Sequence, residues 1–428
     1  MATLTRDAVL EILADWNSWG KQTRTGIMRD SYLRDFERKM RSEEIVILQG
    51  VRRAGKSTIA KQYIESMGNP DSALIINFED ARLSKVSAND LNRIFEVYLS
   101  EFQPKEKPVV VLDEIQEVPE WERFVRSLHD RNAAHIAVTG SSSKLLSGEY
   151  ATLLTGRHIN TTVYPLSFAE FLQFTGIEAK SRMQAIENRL QIQKKFREYL
   201  EFGGFPKPVT LKDAVLKKEL LRTYYEDIIH KDIQKRHSIQ EGKKLDELGQ
   251  YYMTNNARIA SHNQIRKFIG LSLDSVQRFS KYMEEAYLIF SVPLFSYSKK
   301  AQIANPKKVY SIDTGMRNAV SFRFSKDFGW NAENAVFLQL KRTGSEVYYY
   351  TDHKTECDFI AKKQGKKAAI QVSWNLEDEK REIKGLLQGM KSIKAKDGLL
   401  LTEDLEEERK IEGMKIRIMP LWKWLLGK

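Results

Sequence analysis

EEIVILQGVRRAGKST, Glu43–Thr58, decides how the chain is read. Ile45, Val46, Ile47 and Leu48 form a continuous β-rich apolar run, as expected of a strand buried on both faces. Gly50, Gly55, Lys56 and Ser57 then satisfy G-x-x-x-x-G-K-[ST]. Beyond them TIAKQYIESMG places Ile59, Tyr63, Ile64 and Met67 at helical spacing and closes on Gly68, a helix stop. Strand, glycine loop and helix therefore come in the order that cradling a triphosphate requires. The loop and first helical turn, Gly50, Val51, Arg52, Arg53, Ala54, Gly55, Lys56, Ser57 and Thr58, are expected to contact ATP. Gly50 and Gly55 allow tight curvature, Lys56 reaches the β- and γ-phosphates, and the Ser57 hydroxyl ligates Mg²⁺. The positive end of the following helix adds attraction for phosphate.

PVVVLDEIQEV, Pro108–Val118, reads as a second buried strand that releases two adjacent carboxylates at its C-terminal end, the ligand edge of a parallel sheet. Asp113 is the expected Mg²⁺-supporting acid, and Glu114 the base or orienting group for the attacking water. HIAVTGSSS, His135–Ser143, is a third strand ending in hydroxyls where a γ-phosphate-sensing side chain is expected, Ser141 before Ser142. Arg157, before the β-rich stretch Ile159–Tyr164, is a candidate to stabilise transition-state charge in its own subunit or in a neighbour, or else an ordinary surface arginine.

Composition agrees with a folded protein. The 428 residues are 42% hydrophobic and 29% charged, which excludes disordered and collagenous classes and makes room for two to three domains. One cysteine, Cys357, cannot form an intrachain disulfide, and no export signal or membrane-spanning apolar run is legible, so a cytoplasmic protein without integral membrane association is expected. The net charge of +12 favours anionic partners, or solubility alone. Histidines and the cysteine do not fall at zinc-site spacing.

GVRRAGKST, LDEIQEVPEWERFVRSLHD, VTGSSSKLL, LTGR and YPLSFAEFL, in that order, resemble the prokaryotic AAA-type ATPase family whose C-terminal half is a domain of unknown function with a nuclease-like fold. The resemblance spans nearly the whole chain, and Arg52–Arg53 within the loop is part of it. It implies a sheet of the additional-strand, catalytic-glutamate type with Glu114 as that glutamate. Asp80, in INFED, matches a family acid of uncertain role. The expected fold class is α/β: a P-loop ATPase parallel sheet with helices at 1–175, a helical linker at 176–240, a winged-helix segment at 241–320 and an α/β nuclease-like domain at 321–428.

Gly203–Val209, GGFPKPV, reads as a turn between two helices. Within 259–314, a helix ending near Gly270 and a second starting near Ser272 or Asp274 have helix-turn-helix spacing, with Asp274 a good N-cap. A following β-pair would form a wing with Lys299, Lys300, Lys307 and Lys308 available for phosphates, and Ser275, Gln277 and Arg278 would face a DNA groove. Packing or protein contact is the other reading of such a module. The order NAENAVFLQLKR, EVYYYTD, ECDFIAKKQGKKAAIQVSW resembles the restriction-endonuclease-like fold, with Glu333 and Asp358 at its first two acids. Gln371 stands where a third acid is usual and Ser373 where a lysine is usual. Lys384 could substitute for that lysine from the next helix, although a solvated helix face accounts for it as well. The domain is therefore expected to be inactive or weakly active, its Glu333, Asp358 and Gln371 vestigial.

These readings lead to an Mg²⁺-dependent ATPase that moves its C-terminal modules, with Lys56, Glu114, Arg157 and Ser141 in catalysis and Ser57 and Asp113 at the metal. Double-stranded DNA and further copies of the chain are its candidate partners. A non-hydrolysing nucleotide switch that recruits proteins and an ATP-licensed nuclease are the alternatives.

Overall fold

The computed structural model describes residues 5–19, 25–143, 154–179, 181–321, 328–352 and 354–427. Lys144–Leu146 of the VTGSSSKLL block and residues 322–327 of the expected C-terminal domain lie outside them. The chain divides into two compact units, Met1–Val163 and Tyr164–Lys428.

The first unit is built on five strands, β1 (Ile45–Gln49), β2 (Ala73–Asn77), β3 (Val109–Asp113), β4 (His135–Gly140) and β5 (His158–Thr162), all parallel in the order β2-β3-β4-β1-β5. β4 separates the loop-bearing β1 from the carboxylate-bearing β3, the inserted strand implied by the resemblance. The apolar runs that defined the strands are buried, and helices Arg6–Trp16, Ala88–Phe102 and Trp121–Asp130 contribute Leu13, Phe95 and Phe124 to the same core.

β2 is an edge strand, and an edge leaves backbone groups unpaired unless something covers them. Asn17 performs that cover by imitating a strand neighbour. Its Oδ1 accepts the Ile75 N–H at 2.7 Å and its Nδ2 donates to the Ile75 carbonyl at 2.9 Å. Trp19 Nε1 donates to the Ala73 carbonyl nearby. Asp80 serves the same region: it caps the short helix Ala81–Leu83, accepts from Trp16 Nε1 at 2.8 Å and pairs with Arg82, which holds its carboxyl well below the usual range.

The second unit starts before the expected boundary at 175. Helix Phe168–Phe174 belongs to it because Phe168 and Phe171 pack edge-on against Phe196 and Tyr199 of helix Arg189–Phe202. The expected turn at Gly203–Val209 contains a helix of its own, Pro206–Thr210, with Pro206 in its first turn. Gly203 has φ +72°, and a Cβ there would lie 2.0 Å from Asp313 Oδ1. The backbone must pass this close because Asp313 accepts the Gly204 N–H at 2.7 Å and the Met316 N–H at 2.8 Å. Burial pushes this carboxyl up to about 6, against those N–H donors.

Helix Gly242–Thr254, β6 (Arg258–Ala260), helices His262–Ile269 and Leu273–Glu285, β7 (Ile289–Val292) and β8 (Lys307–Ser311) follow, the strands forming an antiparallel sheet in the order β6-β8-β7. Three details differ from expectation. Ser272, not Asp274, is the N-cap, its hydroxyl accepting the Ser275 N–H, while Asp274 sits one turn below Arg278 and pairs with it. Ser275 is buried against Ser272 and cannot face a groove, whereas Gln277 and Arg278 are exposed. The β7–β8 connection carries a short helix, Lys299–Ala304, and Lys308 points inward instead of to solvent.

The chain ends in a six-stranded mixed sheet of β9 (Glu346–Thr351), β10 (Glu356–Lys363), β11 (Lys366–Val372), β12 (Asp397–Thr402), β13 (Glu407–Ile411) and β14 (Met414–Pro420), in the order β13-β14-β12-β11-β10-β9. Helix Glu379–Ser392 buries Leu386 and Met390 against it, while Lys384 is exposed on the helix's solvent face. No described helix is long and apolar enough to cross a membrane.

Candidate functional site

The loop between β1 and helix Lys56–Ser66 is shaped by residues with positive φ: Gly50 at +144°, Arg53 at +68° and Gly55 at +97°. Gly50 admits no other residue, since a Cβ would stand 2.2 Å from the Val163 carbonyl oxygen. Gly55 is the N-cap of the helix and supplies no capping side chain, so the first helical N–H groups point to an incoming anion. Val51 and Ala54 are buried under the loop, while Arg53 and the Thr58 side chain are exposed, leaving Thr58 its backbone N–H as a contact. Arg52 pairs with Glu79.

Behind the loop sits Arg29, a residue that sequence reading did not single out. It is 3% exposed, and its Nη1 donates to the Ala54 carbonyl at 2.8 Å. Gln62, on the helix after the loop, donates to the carbonyls of Thr25 and Ile27 and so fastens the same segment.

Lys56 Nζ donates to the carbonyls of Gly50 and Val51 at 3.0 and 3.2 Å and stands 3.5 Å from Glu114 Oε1. Ser57 Oγ donates to Asp113 Oδ1 at 2.7 Å. The loop and the end of β3 therefore meet as the two motifs anticipated. What sequence reading missed is Thr139 on β4, the residue that joins both acids. Its hydroxyl donates to Asp113 Oδ1 at 2.6 Å and accepts the Glu114 N–H at 3.1 Å. The signal was there: Thr139 is the first hydroxyl in the apolar run of β4, directly after Val138, whose partner Leu112 directly precedes Asp113. Glu114 itself has φ +53°, and its Oε2 accepts from Gln116 Nε2 at 2.6 Å and from the Ser141 N–H at 3.2 Å. Ser141 and Ser142 are both buried beside it. Burial raises the Asp113 carboxyl, Glu114 adds to the rise, and the Thr139 and Ser57 hydroxyls and Lys56 oppose it. A cation held by Ser57 and Asp113 would stabilise the ionised carboxylate that burial disfavours, so the residues present fit Mg²⁺.

Arg157 is elsewhere. Its carbonyl accepts the Ile45 N–H at the start of β1, and its guanidinium pairs with Asp130 at 3.2 Å. It thus lies at the N-terminal edge of the sheet, a strand length of roughly 13 Å from the loop. The reading in which it acts on its own subunit's phosphates does not hold.

In the second unit Glu333 and Asp358 come together as anticipated, but around Lys308. Its Nζ lies 2.6 Å from Glu333 Oε1, 2.6 Å from Glu356 Oε1 and 3.0 Å from Asp358 Oδ1. Tyr310 donates its hydroxyl to Glu333 Oε1 at 2.6 Å. Gln371 accepts the Asp358 N–H and donates to Glu382 at 2.6 Å, so its amide is a linker between acids. Lys308, Glu333, Glu356, Asp358, Gln371 and Glu382 line a cavity of about 830 Å³. Burial raises Glu333 and Asp358, and burial would lower Lys308, but the surrounding carboxylates hold it well above its ordinary value. Among the described residues no group of three or more His, Cys, Asp or Glu side chains is arranged to hold a metal ion.

Residues 42–172 match the family described as an AAA domain, 193–327 a domain of unknown function, DUF8612, and 328–424 another, DUF4143. The uncharacterized protein MJ1544 of Methanocaldococcus jannaschii is 36% identical over 410 residues, covering 92% of this chain and 90% of that protein. An uncharacterized protein of Haemophilus influenzae is 28% identical over 406 residues, covering 92% and 98%. Among solved structures, the Walker-type ATPase PABY2304 of Pyrococcus abyssi superposes with a TM-score of 0.48 at 12% identity, over 68% of this chain and 95% of that one. AMPPCP-bound DnaA from Aquifex aeolicus gives 0.23 at 17% identity, over 60% and 86%. The chain belongs to the same family as MJ1544, and it carries an AAA-type ATPase domain followed by two domains of unknown function.

Proposed function

We propose that the protein is an Mg²⁺-dependent ATPase whose turnover moves its C-terminal modules on double-stranded DNA. The observation that carries the ATPase reading is the contact of Ser57 with Asp113, with Glu114 beside Lys56. Backbone N–H groups of the loop and of the helix start bind the phosphates. Lys56 leaves the Gly50 and Val51 carbonyls for the β- and γ-phosphate oxygens. Ser57 and Asp113 are the residues that would hold Mg²⁺, which neutralises charge on those oxygens. Glu114, freed from Lys56, orients a water and takes its proton as the water oxygen bonds to the γ-phosphorus and the bond to the β-phosphate oxygen breaks. Ser141 keeps Glu114 in place through its N–H. Arg157, turned away from its own site, serves a neighbouring copy.

DNA contact is supported by the exposed Gln277, Arg278, Lys299, Lys300 and Lys307 on the winged-helix-like elements. Phosphate release with and without duplex DNA tests both halves of the proposal. Turnover is expected to require Mg²⁺, to vanish in Lys56→Ala, to fall at least about 100-fold in Glu114→Gln and to rise with DNA. ATP binding without turnover would instead identify a nucleotide switch, and stimulation that survives Lys299→Glu/Lys300→Glu with unchanged salt dependence would remove those lysines from the DNA contact.

A further inference from the structure

Lys308 belongs to β8, in the three-stranded sheet, yet its ammonium lies among acids of helix Phe328–Arg342 and of β10. An ammonium has three N–H donors and no acceptor. Here Glu356 and Asp358 accept from it at 2.6 and 3.0 Å, Glu333 Oε1 pairs with it at 2.6 Å, and the side chain is 2% exposed. Three acids share one cation, which leaves two negative charges uncompensated if all are ionised. The upward displacement of Glu333 and Asp358 agrees with that shortage. Carboxylate oxygens are the donors that a hard divalent cation takes, with waters completing its shell. A cation there would have to occupy the space that Lys308 Nζ fills.

We propose that Lys308 Nζ is the resident cation of the Glu333–Glu356–Asp358 cluster: with it in place the cluster takes no divalent metal, and without it the same oxygens become a site for a hard divalent cation. The lysine absent at Ser373 is thus not simply lost. A lysine from another element occupies the cluster's centre, and its ammonium excludes metal-assisted chemistry from the acids around it.

The test is Mn²⁺ binding to the full-length chain, followed by electron paramagnetic resonance and by the thermal midpoint with Mn²⁺ or EDTA. An Asp113→Asn background without nucleotide silences the phosphate loop. The parent and Lys308→Arg, which keeps the charge, are expected to bind no Mn²⁺ at the cluster. Lys308→Met is expected to bind one equivalent at least about tenfold more tightly than any parent signal, with a midpoint raised by Mn²⁺ and returned by EDTA. Adding Asp358→Asn should abolish both effects. If Lys308→Met folds only with Mn²⁺, that rescue supports the assignment. If it folds in neither condition, Lys308→Met/Glu333→Gln/Asp358→Asn, with two of the three acids neutralised, must recover a folding transition. Failure of that recovery overturns the proposal, as does Mn²⁺ bound by the parent and lost in Asp358→Asn, or a Lys308→Met chain that folds normally and ignores Mn²⁺.

Discussion

Thr139→Val is the most informative single change at the nucleotide site, because valine keeps the volume and removes only the hydroxyl. Thr139 is fully buried, so no water replaces what is lost. The hydrogen bond to Asp113 at 2.6 Å goes to a carboxylate, worth about 1.5–3 kcal/mol, and the Glu114 N–H would be left without its acceptor at a further cost of about 1–3 kcal/mol. Together these give roughly 3–5 kcal/mol of lost stability in the first unit. For a unit of this size each kcal/mol moves the thermal midpoint by about 2–4 °C, so a fall of roughly 6–20 °C is expected. Thr139→Ser keeps the hydroxyl and removes a methyl group, a change of about 1 kcal/mol. Both acids are positioned through Thr139, so Thr139→Val should also lose about 100-fold in phosphate release while Thr139→Ser stays near the parent. Differential scanning calorimetry and steady-state phosphate release measure the two effects. A Thr139→Val chain that melts within about 2 °C of the parent, or a serine variant as impaired as the valine one, would refute the reasoning.

Arg29→Lys keeps a charge but not the reach to the Ala54 carbonyl, and should raise the KM for ATP about tenfold with kcat little altered, since the contact shapes the loop before chemistry; an unchanged KM in initial-rate measurements would show that the loop holds its form alone. Asp313 titrates near 6 in the folded chain against 3.8 in an ordinary aspartate, so its contribution to stability is complete below pH 3.8 and is lost as pH rises through about 6, equivalent to about 3 kcal/mol. Urea unfolding from pH 4 to 7 should show that decline in the parent relative to Asp313→Asn, and parallel pH curves for the two would discount the buried carboxyl.

The phosphate loop was legible because its chemistry is contiguous: one strand, one glycine turn and one helix start carry nearly every contact. The Asp113–Glu114 pair was legible for the same reason, as was the α/β class from the run of fully buried strands. Residues that act across the fold were not. Arg29 reaches a carbonyl 25 residues away, and Thr139 an acid 26 residues away. Lys308 meets Asp358 across 50 residues, and the sequence offered it as a solvent-facing wing lysine because KK before a β-rich run reads as an edge. Arg157 sat beside a strand in the sequence, but only the parallel pairing of β5 with β1 decided which end of the sheet it occupies. Ser275 fell on a recognition-helix position by spacing, and the Ser272 cap turned its hydroxyl inward.

Asn17 lies well outside residues 42–172, yet it supplies the outermost rung of the nucleotide-binding sheet. A fragment begun at residue 42 would bare the N–H and C=O of Ile75 along an apolar strand and offer a template to any extended peptide, another copy of itself included. Self-association of such a fragment would then report a missing lateral cap rather than the quaternary state of the whole chain.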